Sequence, residues 1–293
     1  MNHAATVAAI VAAATAASAL LVPRRLRPDV ATRLITALVL LSVGAGIWTL
    51  LVIVAANVVQ LHGVAERLAW CSDLVTHHRG SFTPIGLAAL GSAIAAFVSV
   101  VRVRIRQRRQ RAPSDGRELA VITSDEAVAY VLPGRPGQVV VSTGMLRSLD
   151  AKERQVLIAH ERSHLRRHHH RYVRLTELAV AAMPILAPLN VRLRFAVERW
   201  ADEDAADEIG DRALVAAAIA RAALASQTSP RLGLAIADGG VVERVQIMLA
   251  GPSRGAPLVV ASLTAVVAAA SAGLVTSLLL LEPSLMALLG LCH

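Results

Sequence analysis

The sequence has few lysines, cysteines and aromatic residues. Lys152 is the only lysine among 30 lysine and arginine residues, there are two cysteines, and aromatic residues make up 3% of the 293 residues. Two cysteines are too few for a cysteine-type metal site, so a metal would need nitrogen and oxygen ligands. The net charge is +9, but the basic residues lack the interleaved aromatic residues of a base-stacking surface. We therefore expect no direct nucleic-acid binding.

Charged residues are nearly absent from four long apolar stretches, residues 4–22, 31–59, 85–101 and 258–281. Each is close to or above the roughly 20 residues that a helix needs to cross a bilayer. The mean hydropathy of +0.55 also favours a membrane protein. The first stretch resembles a secretory signal, but no Lys or Arg precedes it and arginines follow it, so we interpret it as a retained helix. We predict a mainly α membrane protein with four transmembrane helices.

The arginines predict how these helices are oriented. They cluster after the first and third stretches, at Arg24, Arg25, Arg27, Arg33, Arg102, Arg104, Arg106, Arg108, Arg109 and Arg111. Because positive charge favours the cytoplasmic side, we predict a multi-pass protein of the inner (cytoplasmic) membrane. Residues 1–111 would form a three-span region, residues 112–256 a cytoplasmic α+β domain, and residues 257–293 the last span with a short external tail.

The two cysteines, Cys71 and Cys292, would both lie outside the cytoplasm in this topology. Oxidation is possible there, so a disulfide between them is one hypothesis. Two free thiols are the alternative that we favour.

Inside the predicted cytoplasmic domain, His160 and His164 stand four residues apart, with Glu161 beside the first. On a helix this HExxH spacing places both imidazoles on one face, where they can bind one zinc ion while Glu161 acts as the catalytic carboxylate. Asp150 and Glu153 form a capping-box pattern that predicts the start of this helix. The alternative is a chance arrangement on a solvated helix.

A third metal ligand is predicted at Glu198, because Asp202 follows it by one helical turn and can orient a ligand histidine. The competing ligand, Glu177, has no aspartate four residues later. Glu203 and Asp204 are expected to be solvated.

A run of three histidines, His168 to His170, follows the motif. His170 stands at the offset of a third metzincin ligand, but Arg167 occupies the glycine position that such a site needs. If the helix continues, only His168 stays on the face of His160, so the run is interpreted mainly as a basic surface patch.

Three short β-rich segments, residues 118–124, 127–132 and 138–142, predict a small sheet before the motif helix. An edge strand of such a sheet can bind an extended peptide, although a purely structural hairpin has the same pattern. Further helices are predicted at residues 213–225 and 241–250.

The apolar segment 178–189 is too short to cross a bilayer and contains two prolines. We expect it to pack on the bilayer or dip into it. A fifth span that begins at Tyr172 is the rival interpretation, but it would separate Glu198 from His160 across the membrane.

The strings AHERSHLRRH and VERWADEDAAD, together with the predicted spans, resemble the BlaR/MecR family of membrane zinc peptidases and, more distantly, the HtpX and CAAX-prenyl membrane proteases. The resemblance is sharp only from about residue 142 to residue 207. It implies that His160, His164 and Glu198 bind zinc, that Glu161 is catalytic and that Asp202 orients a ligand. It also implies a protein substrate, with inactivation of a transcriptional repressor as the outcome.

The chain differs from the antibiotic sensors of that family because only a short tail follows the last apolar stretch, so we do not expect direct β-lactam acylation. We predict a membrane-embedded, zinc-dependent endopeptidase. Its oxyanion-stabilising residue is undecided among Tyr172, His168 and Arg199. The main alternative is a non-catalytic membrane signalling or scaffold protein with a zinc site. A transporter is less favoured, because the spans lack intramembrane charges.

Overall fold

The computed structural model describes residues 2–59, 83–109, 117–134, 137–227, 240–251 and 257–279. Cys71 and Cys292 lie outside these residues, so the disulfide hypothesis stays a prediction. The helices in these ranges are α1 (Asn2–Leu20), α2 (Pro28–Val59), α3 (Pro84–Arg109), α4 (Thr143–Ser148), α5 (Ala151–Arg166), α6 (His169–Ala182), α7 (Ala187–Ile209), α8 (Arg212–Gln227), α9 (Gly240–Leu249) and α10 (Pro257–Leu279).

The described residues of all four predicted membrane stretches are mainly helical, in α1, α2, α3 and α10. Within the described residues, two helical segments are long and apolar enough to cross a bilayer, Pro28–Ala55 in α2 and Pro84–Arg109 in α3. The apolar parts of α1 and α10 are shorter. Small side chains let these helices approach closely, as where Ala12 of α1, Ala45 of α2 and Ala270 of α10 share one buried cluster.

The three predicted strands form one sheet with the order β1-β3-β2. The strands are β1 (Leu119–Ile122), β2 (Ala129–Leu132) and β3 (Gln138–Ser142). The central strand β3 is parallel to β1 and antiparallel to β2, and all of its residues are buried. This order leaves β2 as an edge strand beside the motif helix.

The capping box at the start of α5 is confirmed. Asp150 Oδ1 accepts hydrogen bonds from the backbone N–H groups of Lys152 and Glu153, both at 2.9 Å. The Glu153 carboxylate in turn accepts a 2.9 Å bond from the backbone N–H of Asp150. These contacts satisfy backbone donors that have no partner within the helix, and they set where the helix that carries His160 begins.

The expectation of a continuing helix beyond His164 is wrong. Helix α5 ends at Arg166, and His168 adopts a left-handed conformation with φ 54° and ψ 38° before α6 begins at His169. This break changes the direction of the chain, so positions after Arg167 no longer follow the face that carries His160. The interpretation of the three histidines as a surface patch assumed that α5 continues through them, so it no longer has that basis.

Residues 172–189 form most of α6, a short 3₁₀ turn at Pro184–Leu186 and the start of α7. Both prolines lie in first turns, where a missing backbone N–H costs little. Leu186, Leu189 and Leu193 are buried in the same cluster as Leu34 and Leu38 of α2. Helix α7 is therefore packed directly on a candidate membrane helix.

Candidate metal centre

Three predicted ligands come together although they lie on two helices. His160 Nε2 is 3.1 Å from His164 Nε2 on α5 and 3.5 Å from Glu198 Oε2 on α7. The other oxygen, Glu198 Oε1, is 3.7 Å from His164 Nε2. A tetrahedral zinc ion with ligands at about 2.1 Å separates its ligand atoms by about 3.4 Å, so the donor set fits zinc in both chemistry and spacing. Glu198 cannot lie across a membrane from His160, which excludes the fifth-span interpretation.

Asp202 lies behind the first histidine, as its position one turn after Glu198 predicts. Its Oδ1 is 3.0 Å from His160 Nδ1, and its side chain is almost fully buried. A proton on Nδ1 pointing at this carboxylate leaves the Nε2 lone pair directed at the other ligands.

Arg244 of α9 is part of the site, and sequence reasoning missed it. Its Nε and Nη2 each lie 2.7 Å from a different oxygen of Asp202, and its Nη1 lies 3.3 Å from Glu198 Oε2. The available signal was an arginine in the otherwise largely apolar segment Gly240–Leu249. That signal could not identify Asp202 as the partner of Arg244, because α9 and α7 come into contact only in the folded chain.

These contacts control the charge of the ligands. Burial opposes ionisation of His160, but the hydrogen bonds that its ring donates to the carboxylates of Asp202 and Glu198 outweigh this effect and raise its pKa to about 10. Burial lowers the pKa of His164 to about 4. Burial also opposes ionisation of Glu198, but the neighbouring histidines and Arg244 hold its pKa well below the ordinary value. A metal ion and a proton therefore compete for His160 Nε2.

Glu161 is buried, only 8% exposed, and it borders the cavity in front of the ligand cluster. Burial raises its pKa to about 7, although the charge of His160 opposes this shift. A carboxylate with a pKa near neutrality can both take up and release a proton at working pH.

The histidine run is arranged differently from the predicted surface patch. His169 is 1% exposed, and its Nδ1 lies 3.0 Å from His164 Nδ1. Burial lowers the pKa of His169 to about 3, so its ring is neutral. His168, predicted to stay on the metal face, is exposed instead because it occupies the left-handed turn.

The competing ligand Glu177 bonds elsewhere, to Arg194 Nη2 at 2.5 Å and to Gln107 Nε2 at 2.9 Å.

The expectation that Glu203 and Asp204 are solvated is wrong. Glu203 pairs with Arg212, and Asp204 accepts hydrogen bonds from Ser163 and Arg167. Their side chains are only 16% and 10% exposed, because α5 and α8 pack against this part of α7.

The cluster of ligand side chains opens into a cavity of about 350 Å³, which is lined mainly by α5, α7, α8, α9 and the segment leading into β2. Apart from the site residues and Ser226, its lining is apolar: Ala127, Val128, Ala129, Met145, Val156, Leu157, Val215, Ala218, Ile219, Ala222, Ala223 and Val241. Tyr172, His168 and Arg199 do not border this cavity. Arg199 points away, and its side chain donates to the carbonyl groups of Arg24 and Leu26.

Residues 97–231 match the model of the family described as Peptidase family M48. This segment comprises 135 of the 293 residues and contains the motif helix, Glu198 and Asp202, but not Arg244. Peptidases of this family are zinc metallopeptidases, so the match supports a metallopeptidase activity. Neither the curated proteins nor the solved structures contain a significant match to the chain.

Proposed function

We propose that the protein is a zinc-dependent endopeptidase. The observation that carries this proposal is the joining of the three donor atoms of His160, His164 and Glu198 at tetrahedral spacing, with the buried carboxylate of Glu161 beside them. A structural zinc site normally closes with four protein ligands, whereas three protein ligands leave a position open for reaction. Among the described residues, three side chains form this ligand cluster, which is the number that a catalytic zinc site has.

When bound, zinc supplies Lewis acidity, which polarises a carbonyl group and lowers the pKa of a water molecule toward about 7. Glu161 takes a proton from the water that attacks the scissile carbonyl carbon. The same carboxyl group then delivers this proton to the nitrogen that leaves when the C–N bond breaks. Asp202 and Arg244 hold His160 in the tautomer that ligation requires.

The surroundings of the site suit an extended peptide. The segment Ala127–Ala129, which leads into the edge strand β2, borders the cavity, and an edge strand can pair with a peptide in extended conformation. The cavity beyond it is apolar and neutral over most of its surface. We therefore propose that the substrate places an apolar side chain there, next to the bond that is cleaved.

The arginine distribution and the apolar helices α2 and α3 support a membrane location. We propose a multi-pass protein of the inner membrane, with α1, α2, α3 and α10 as spans and with the active site facing the cytoplasm. The domain limits stay at 1–111, 112–256 and 257–293. A BlaR/MecR-type role, in which the substrate is a transcriptional repressor, rests on the sequence resemblance.

The decisive experiment compares the native protein with Glu161→Gln, purified in detergent or nanodiscs, for zinc content and for cleavage of unfolded protein substrates and candidate repressors. We expect equal zinc loading and loss of cleavage in the variant. His160→Ala, His164→Ala and Glu198→Ala should each lose zinc. A zinc-loaded Gln variant with normal turnover would overturn the role of Glu161, and a zinc-loaded native protein that cleaves nothing would favour a non-catalytic scaffold.

A further inference from the structure

Each of the two ligand histidines has a partner behind it. His160 Nδ1 faces a carboxylate oxygen of Asp202 at 3.0 Å, whereas His164 Nδ1 faces Nδ1 of His169, also at 3.0 Å. The second contact joins two imidazole rings whose centroids are 4.9 Å apart. One ligand is therefore supported by a carboxylate and the other by a second imidazole ring.

A contact between two Nδ1 atoms needs one proton, and its location decides whether His164 can bind a metal. A neutral imidazole carries its proton on one nitrogen only. If His164 donates from Nδ1, its Nε2 is free to ligate, and His169 must carry its own proton on Nε2. If His169 donates instead, the proton of a neutral His164 lies on Nε2, where it blocks ligation.

The fold holds His169 in one orientation. The left-handed turn at His168 places residue 169 behind α5 instead of along it. The ring of His169 is almost fully buried and packs on Trp200, with centroids 5.0 Å apart and planes inclined by 51°. Its Nε2 has no hydrogen-bond partner within the described part of the chain. Because the ring is almost fully buried, solvent does not compete for the imidazole.

We propose that His169 is a positioning residue of the metal centre: it accepts a hydrogen bond from His164 Nδ1–H and so fixes the tautomer and ring orientation in which His164 Nε2 binds zinc. The inference rests on the proposed metal site. It assigns to the His169 imidazole the role that the Asp202 carboxylate has for His160. Partners of this kind typically change metal affinity by 10- to 100-fold when they are removed.

Two substitutions separate this role from packing. His169→Asn keeps an acceptor, because the asparagine Oδ1 occupies nearly the position of the histidine Nδ1. His169→Phe keeps the ring volume against Trp200 but removes the acceptor. His168→Asn is the matched control, since this exposed neighbour makes no contact with a ligand and asparagine tolerates the left-handed conformation.

The measurement is the zinc dissociation constant of the full chain in detergent, by competition with a chromophoric chelator, together with thermal unfolding of the metal-free protein. We expect about 10- to 100-fold weaker zinc binding for His169→Phe and a change below about threefold for His169→Asn and His168→Asn. Native affinity in His169→Phe would overturn the proposal. A second result would also overturn it: His169→Phe and His169→Asn lose zinc affinity equally, and each loss of affinity is in proportion to the loss of thermal stability. His169 would then act through packing.

Peptide cleavage is assayed in the same samples, so the two proposals can fail separately. If the native protein binds zinc with the expected variant pattern but cleaves nothing, the positioning role stands and the peptidase proposal is overturned. If the native protein binds no zinc, both are overturned.

Discussion

Arg244 and Asp202, which lie 42 residues apart, form a two-pronged ion pair, with Nε and Nη2 each 2.7 Å from one carboxylate oxygen. Both side chains are largely buried, at 14% and 2% exposure. Because Asp202 also contacts His160 at 3.0 Å, the pair connects α9 to the metal ligands. The position of α9 thus bears directly on the geometry of the site.

The first prediction concerns this pair. Arg244→Met leaves the Asp202 carboxylate buried without its cation, and breaking a buried pair in this way costs about 3–5 kcal/mol. We expect a large fall in thermal stability and weaker zinc binding, measured by scanning calorimetry and chelator competition in detergent. Arg147→Met is the control, because its partner Asp125 is 97% exposed and an exposed pair contributes at most about 1 kcal/mol. Similar effects of the two substitutions would contradict the assigned role of Arg244.

The second prediction concerns the apolar cavity. Ala222 of α8 borders it, and Ala222→Leu would fill part of it. We expect kcat/KM to fall by about 10-fold or more for peptides with a large apolar residue beside the scissile bond, and by less for peptides with alanine there. Zinc content should not change, because Ala222 contacts no ligand. Ala217→Leu, on the exposed side of the same helix, should leave both peptide series unaffected, and an equal loss for both series in Ala222→Leu would argue against a side-chain pocket.

The third prediction is a pH dependence at Asp204, whose carboxylate contacts Ser163 and Arg167. Burial opposes its ionisation, but hydrogen bonds from Arg167 and Ser163 hold the pKa of Asp204 below its ordinary value. A depressed folded-state pKa stabilises the protein above the unfolded-state pKa of about 3.9, and this stability is lost as the pH falls through the folded-state value.

Asp204→Asn should therefore be less stable than the native protein at pH 7, by about 1.5 kcal/mol. The difference should shrink as the pH falls below about 4. Unfolding temperatures of both proteins between pH 3 and pH 8 test this, with the exposed Asp207→Asn as the control. A difference that is the same at every pH would show that the charge of Asp204 is not responsible.

The contacts that depend on short spacing could be predicted from the sequence. The capping box of Asp150 and Glu153 determines where α5 begins, and the helical repeat then places His160 and His164 on one face. The same repeat relates Glu198 to Asp202 on α7. These relationships involve one or two turns of a helix, whose geometry is the same in any protein, so a sequence pattern is enough to specify them.

Other features of the site depend on how distant segments pack. The contact of His169 with His164 requires the left-handed turn at His168, where the sequence pattern favoured a continuing helix. The pairing of Arg244 with Asp202 depends on the packing of α9 on α7. The burial of Asp204 depends on the packing of α5 and α8 on α7. The sequence by itself determined the motif helix and its facing donors, whereas only the tertiary structure decided which side chains support those donors, because such support comes from segments whose approach no local spacing encodes.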